Sequence, residues 1–162
     1  MNCPPKDSKQ LKALRELSAE DLIEELVKQA KEISGQAFAP CSGFRVGAAL
    51  VVEDSGGNWQ IVSGVNYETC NYKSTCAEQN ALAEAQKVYA QAGKLKLIKL
   101  AVYSPDSHEP LTPCGNCRQI LSERNPKLEV IACDASMKKI RQFQLGELLP
   151  YAFGIEYISK KD

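Results

Sequence analysis

The sequence has 162 residues, 44% of them hydrophobic and 25% charged, the make-up of one ordinary domain with a core of its own rather than two catalytic units. Twenty Lys and Arg balance 20 Asp and Glu, so the formal net charge is zero; gripping long nucleic acid through its phosphates takes a basic face that this balance does not supply. No basic stretch followed by an apolar segment opens the chain, and no run nears the roughly 18 apolar residues of a membrane span. A cytoplasmic protein with neither a nucleic-acid nor a membrane partner is expected.

Residues 1–17 read as a leader, in which Pro4 and Pro5 exclude an early helix and Leu11, Leu14 and Leu17 offer one apolar edge. Residues 18–162 read as a single domain. Ser18 followed by Glu20 and Asp21 has the form of a helix start, and Leu22, Ile23, Leu26, Val27, Ala30 and Ile33 recur at helical spacing until Gly35. From Phe38 a turn with Pro40, Ser42 and Gly43 leads into the small and β-branched residues of a strand. A polar turn from Asp54 to Asn58 then joins it to a second strand, Trp59 to Val65, as a hairpin. Asn66, Tyr67 and Glu68 close that strand. A helix begins near Thr75, with Ala81, Leu82, Ala85, Val88 and Tyr89 as its apolar stripe. Lys96 to Ser104 reads as a central strand, followed by a loop and a second helix start at Pro113. Leu128 to Cys133 is a further strand, Lys139 to Phe143 a shorter one, and Leu145 to Leu149 a turn of helix. This order predicts an α/β layered domain with a mixed sheet.

Two short segments carry the chemistry: Thr75-Cys76-Ala77-Glu78 and Pro113-Cys114-Gly115-Asn116-Cys117-Arg118. Cys76, Cys114 and Cys117 can supply three thiolates to one Zn2+ per chain and leave its fourth tetrahedral position for water, whose pKa the metal lowers. Glu78, two residues past Cys76, is the carboxylate able to carry protons for that water. Thr75-x-x-Glu78 also fits a capping box, which would give Glu78 a structural role only. Residues two apart do not share a helix face, so Cys76 must lie at a first turn that is not yet regular. Of the seven cysteines, Cys3, Cys41, Cys70 and Cys133 read as small apolar residues or free thiols. Cys70 is near enough to Cys76 in sequence to rival it as a ligand. The only histidine, His108, sits six residues before Cys114 in a loop where exposure is the ordinary expectation. Either residue, as a fourth ligand, would make the zinc structural.

The C-x-E segment followed by P-C-x-x-C resembles the zinc-dependent base deaminases. Over roughly residues 20 to 154 the chain resembles the small homotetrameric cytidine deaminases. The resemblance rests also on Pro40 to Ala49, Asn66-Tyr67-Glu68, and Glu147 to Gly154. It implies a three-layer α-β-α sandwich around a five-stranded mixed sheet, and hydrolytic deamination of cytidine or deoxycytidine to the uridine product, as in pyrimidine salvage. It further implies that Phe44 packs on the pyrimidine, that Asn66 and Glu68 hold ribose hydroxyls, and that Ala77 joins the substrate contacts at the helix start. Phe153 would reach a neighbouring subunit's site, making the working species a tetramer with shared active sites. Gln79 stands where the family usually has an arginine, which leaves Arg118 to offset more of the thiolate charge. Cys41 replaces a common tyrosine, and the loop from Asn66 to Cys76 is about one residue short, as in the blasticidin S deaminases. The other readings are therefore a deaminase of a modified cytosine nucleoside, a structural zinc module, and a nucleic-acid deaminase.

Overall fold

The computed structural model describes residues 14–71, 73–89, 95–154 and 157–158. Cys3 and most of the expected leader, residues 1–13, lie outside them. Among the described residues the elements are α1 (Ala19–Ser34), β1 (Gly47–Glu53), β2 (Trp59–Val65), α2 (Ala77–Tyr89), β3 (Lys96–Tyr103), α3 (Gly115–Ser122), β4 (Glu129–Cys133), β5 (Ile140–Gln144) and α4 (Leu145–Leu148). Ser18 caps α1 as expected, its hydroxyl accepting from the Asp21 N–H at 3.1 Å. At the end of the expected leader, Leu14 packs on the α1 side of the core. Arg15 donates to the Gly57 carbonyl at 3.1 Å and lies over the Trp59 ring.

The five strands form one sheet in the order β2-β1-β3-β4-β5. Alternation along each strand sends successive residues to opposite faces. Ala49 and Val51 of β1, with Ile61, Ala101 and Ile131, meet Leu22, Leu26, Val27 and Ala30 of α1. Ala48, Leu50 and Val52, with Val62, Leu100, Val102 and Val130, meet Ala77, Ala81 and Ala85 of α2 and Cys117 and Leu121 of α3. Helices cover both faces, so the three-layer architecture expected from the sequence is the one observed. Leu26, wholly buried, would cost about 2–5 kcal/mol if truncated to Ala, the range for core leucines.

The pairing directions place the site. β1 is antiparallel to β2 on one side and to β3 on the other, so β2 and β3 run the same way and end at the same edge of the sheet. Gly47, the first residue of β1, pairs with both Val65 and Tyr103, the last residues of those strands. The chain leaving β2 enters α2, and the chain leaving β3 enters α3. Both helix starts and the segment leading into β1 therefore meet at one point.

Gly64 sets how closely α2 approaches. A Cβ there would lie 2.4 Å from the Ala77 carbonyl oxygen and 2.3 Å from the Ala81 nitrogen, and neither backbone atom can move without shifting the helix. Gly64→Ala is expected to destabilise the protein by about 3 kcal/mol, the upper part of the usual overpacking cost. Urea denaturation checks this, and a loss under 1 kcal/mol would mean that α2 can slide away freely.

Candidate metal centre and active site

Cys76 lies one residue before α2, and its carbonyl accepts the Asn80 N–H at 3.1 Å. It thus occupies the irregular first turn that its spacing from Glu78 required. Cys114 holds the equivalent place on α3 as N-cap residue, with extended backbone, and Cys117 follows within the helix. Two helix N-termini, each with unpaired N–H groups and positive dipole ends, face the same three sulfurs, which favours thiolate over thiol. Capping by Thr75 is not what the segment does. Its hydroxyl accepts from the Asn80 side chain at 3.0 Å, while its backbone bridges Tyr67.

The Sγ atoms of Cys76, Cys114 and Cys117 all lie within 4.8 Å of one another, and those of Cys76 and Cys114 are 3.7 Å apart. Tetrahedral zinc with Zn–S bonds of about 2.3 Å separates its sulfurs by about 3.8 Å, so this donor set fits the metal. Cys70 and His108 are exposed and stand outside the cluster, and no fourth protein ligand joins it among the described residues. Cys133 is buried elsewhere against the Val102 carbonyl, and Cys41 is exposed.

Electrostatics separates the roles of these groups. The Cys76 thiol is pulled down to about 6, chiefly by its hydrogen bond with Cys117 and more weakly by that with Cys114, against the cost of burial. Cys117 moves upward, because its proton is committed to Cys76 and because it is buried beside Glu78. Gln79 donates toward the Cys117 sulfur at 3.8 Å, a neutral donor where the family usually has a cation. Arg118 sends its guanidinium elsewhere, to the carbonyls of Pro113 and Leu148 and to the Thr112 hydroxyl. These bonds brace the loop that carries Cys114.

Glu78 is only 4% exposed. Burial, with the nearby Cys76 charge adding to it, raises its carboxyl from the ordinary 4.5 to about 7. It lines a cavity of about 260 Å³ together with Cys76, Ala77 and Cys114. Phe44 and Val46 from the segment before β1, Asn66 and Glu68 from the chain leaving β2, and Leu111 and Thr112 from the connection between β3 and α3 complete its lining. Glu78, expected as the proton carrier, and Phe44, Asn66, Glu68 and Ala77, expected as substrate contacts, thus line one cavity with Cys76 and Cys114. Phe153 is not: its ring is 56% exposed and stacks on Tyr157 at 5.5 Å, and its carbonyl accepts from Gln119.

Asn66 and Glu68 already have internal work. The Asn66 side chain accepts from the Val46 N–H and donates to the Phe44 carbonyl, each at 2.8 Å. Glu68 accepts from the N–H groups of Cys41 and Ser42 and from the Ser42 hydroxyl. These bonds hold its carboxyl below the usual range, with Ser42 as the main cause. Ser42 and Asp106, which grips Arg45, had no signal in the sequence. They act through contacts 26 and 61 residues apart.

A carboxyl whose folded pKa is raised contributes stability that is complete below about 4.5 and lost as pH climbs through about 7. In the metal-free protein, Glu78→Gln should therefore match the wild type at pH 4.5. At pH 8 it should be the more stable by roughly 3 kcal/mol, at 1.36 kcal/mol per unit. Denaturant titrations at both pH values check this, and an equal difference at the two would show that Glu78 titrates near its ordinary value.

Comparison with known proteins accords with this geometry. The family model for the cytidine and deoxycytidylate deaminase zinc-binding region matches residues 20–133. A cytidine deaminase of Halalkalibacterium halodurans is 35% identical over 132 residues, covering 81% of this chain and 93% of its own. One from Mycobacterium tuberculosis is 34% identical over 134 residues, covering 82% and 90%. The crystal structure of cytidine deaminase from Burkholderia pseudomallei superposes with a TM-score of 0.70 at 36% identity, over 80% of this chain and 98% of that one. With its metal cluster, buried glutamate and mixed sheet in the places described above, the chain belongs to the cytidine and deoxycytidylate deaminase zinc-binding family.

Proposed function

We propose that this protein is a zinc-dependent hydrolase that deaminates cytidine and deoxycytidine to the uridine products. The observation that carries this reading is a buried glutamate lining the same cavity as Cys76 and Cys114, two of the three cysteines whose sulfurs cluster at zinc-binding distances. Zinc, when bound by Cys76, Cys114 and Cys117, supplies a water of lowered pKa. Glu78 would move that water's first proton to N3 of the base as its oxygen adds to C4, and the remaining proton of the added hydroxyl to the amine, so that the C4–N bond breaks as the C4–O bond becomes the carbonyl. A carboxyl near 7 can both accept and donate at physiological pH, the condition for such two-way traffic. The backbone N–H groups at the start of α2, beside Ala77, stabilise negative charge developing on oxygen. Ammonia leaves and the ring keeps a carbonyl.

The cavity favours a nucleoside over a nucleotide. No Lys, Arg or His lines it among the described residues, and Glu68 presents a carboxylate at its rim, where a 5′-phosphate would be repelled. Phe44 offers its ring to the pyrimidine. After their internal bonds, Asn66 keeps one amide hydrogen and Glu68 keeps lone pairs. Ribose hydroxyls can accept from the first and donate to the second. Arg118 offsets thiolate charge at longer range while it braces the loop. A cytoplasmic setting and a role in pyrimidine salvage accord with a small-molecule substrate of this kind.

The exposed Phe153–Tyr157 pair supports a homo-oligomer, a tetramer by family likeness, in which Phe153 closes a neighbour's pocket. Rings this exposed gain most from burial against a second copy.

Three experiments check the proposal. Ammonia release should be rapid with cytidine and deoxycytidine and at least a hundredfold slower, as kcat/KM, with deoxycytidine 5′-monophosphate; the reverse order would overturn the nucleoside assignment. Glu78→Gln should lower kcat by 10²-fold or more, the usual worth of a general acid–base group, with one zinc per chain retained. For the shared site, Glu78→Gln chains are co-refolded with Phe153→Ala chains. Hybrids should regain activity that neither parent has, and no recovery would place Phe153 on its own subunit.

A further inference from the structure

The segment from Phe38 to Val46 forms the wall that carries Phe44, yet most of it is exposed and lies in no helix or strand. Gly43 turns it with a φ of +70°, and its position then depends on side-chain bonds. On one flank it is held by Asn66 and Glu68. On the other flank, the connection from β3 to α3, its bonds run to Asp106. The Asp106 carboxylate accepts from the Arg45 N–H at 3.0 Å and from the Arg45 guanidinium at 3.1 and 3.0 Å.

Asp106 stands on the stiffer side of this contact. Its own N–H donates to the hydroxyl of Ser104, which is fully buried. The next residue, Ser107, accepts from Ala135, and Leu111 donates to the Cys133 carbonyl. The connection is thus tied to the end of β4. Leu111, Thr112 and Cys114 of the same connection line the cavity together with Phe44. Two segments that contribute to the cavity lining are thus bonded to each other where Asp106 meets Arg45.

We propose that Asp106 is a positioning residue: by accepting the Arg45 N–H it fixes the Phe44 wall against the metal-bearing connection and so sets the width of the base-binding cavity. This rests on the deaminase reading for its substrate but not for its geometry. The backbone bond matters more than the ion pair. The pair is largely solvent-exposed, with 47% and 29% of the Arg45 and Asp106 side chains accessible, and such pairs contribute little alone. The Arg45 N–H, by contrast, pins the chain next to Phe44. Asp106 touches neither the thiols nor Glu78 by any bond described, and Phe44 meets the base alike in the ground and transition states. Its loss should therefore weaken binding uniformly.

The test compares Asp106→Ala, Asp106→Asn and Arg45→Ala in the zinc-loaded protein. Asp106→Ala should raise KM for cytidine about tenfold, or about 1.4 kcal/mol, with kcat within twofold and one zinc per chain. Amide hydrogen exchange across residues 41–46 should quicken together with it, a readout that holds whatever the substrate is. Asp106→Asn, whose amide oxygen can still accept the Arg45 N–H, should recover most of both effects. Arg45→Ala, which keeps its N–H, should move KM less than threefold. The proposal is overturned if Asp106→Ala leaves KM and exchange unchanged, if it strips zinc or unfolds the chain, or if Arg45→Ala equals it. Faster exchange with no deamination in the wild type would sink the substrate reading alone.

Discussion

Everything chemical in this molecule depends on β1 lying antiparallel to both of its neighbours. Because β2 and β3 each oppose β1, they must end at the same edge, and each then feeds a helix that starts there. A single strand direction thereby brings together two helix N-termini, three thiols and the segment that enters β1. Had β2 been parallel to β1, Cys76 and Glu78 would have emerged at the opposite edge from Cys114 and Cys117. The hairpin at Asp54 to Asn58 is thus a functional element although it lies far from the site. Its turn is fixed by the Asp54 side chain, which accepts from Gly56 and Asn58, and by Gly57 at a φ of +78°.

Placing three sulfurs within a few ångströms creates a charge problem that the fold meets with dipoles. Three thiolates on a divalent zinc carry one net negative charge, and the residue that usually opposes it in the family is the neutral Gln79 here. The structure offers the amide of Gln79 to Cys117 and the first turns of α2 and α3 to the cluster. These are partial charges only, about half a unit at each helix end. They are fixed by the backbone, so they need no side chain to be ordered and no ion to be desolvated. The guanidinium of Arg118 has its hydrogen bonds elsewhere, and its nearer effect is mechanical: it ties Thr112 and Pro113 to the end of α4.

The cysteine cluster and the buried carboxylate beside it were legible in the sequence because the chemistry proposed for them demands particular residue types at short spacing. The helices and strands were legible because burial on one or both faces imposes a period. Ser18, the Asp54 turn and the central position of β3 all stand as read. The rim was not legible in the same way. Asn66 and Glu68 were read as sugar contacts, while the structure shows that each first holds its own loop. Thr75 matched a capping box, but its backbone is occupied by a bridge to Tyr67 and its hydroxyl by Asn80. Local pattern cannot separate such uses, since a hydroxyl or carboxylate takes whichever partner the distant chain brings to it.

This contrast follows from how the two halves of the cavity are made. The floor rests on backbone against backbone: Gly64 lets the first turn of α2 touch β2 directly, and Ala77 and Cys117 are fully buried. Nothing there can move without opening the core, so the positions of Glu78 and the thiols are tied to the packing of the fold. The rim rests on side-chain bonds across an exposed segment, any of which can exchange for water at modest cost. Substitutions at the rim can therefore reshape what enters without disturbing the metal, whereas substitutions at the floor tax the fold itself. The unusual residues of this chain, Cys41 on the outer loop and Gln79 against the buried sulfur, fall on opposite sides of that divide.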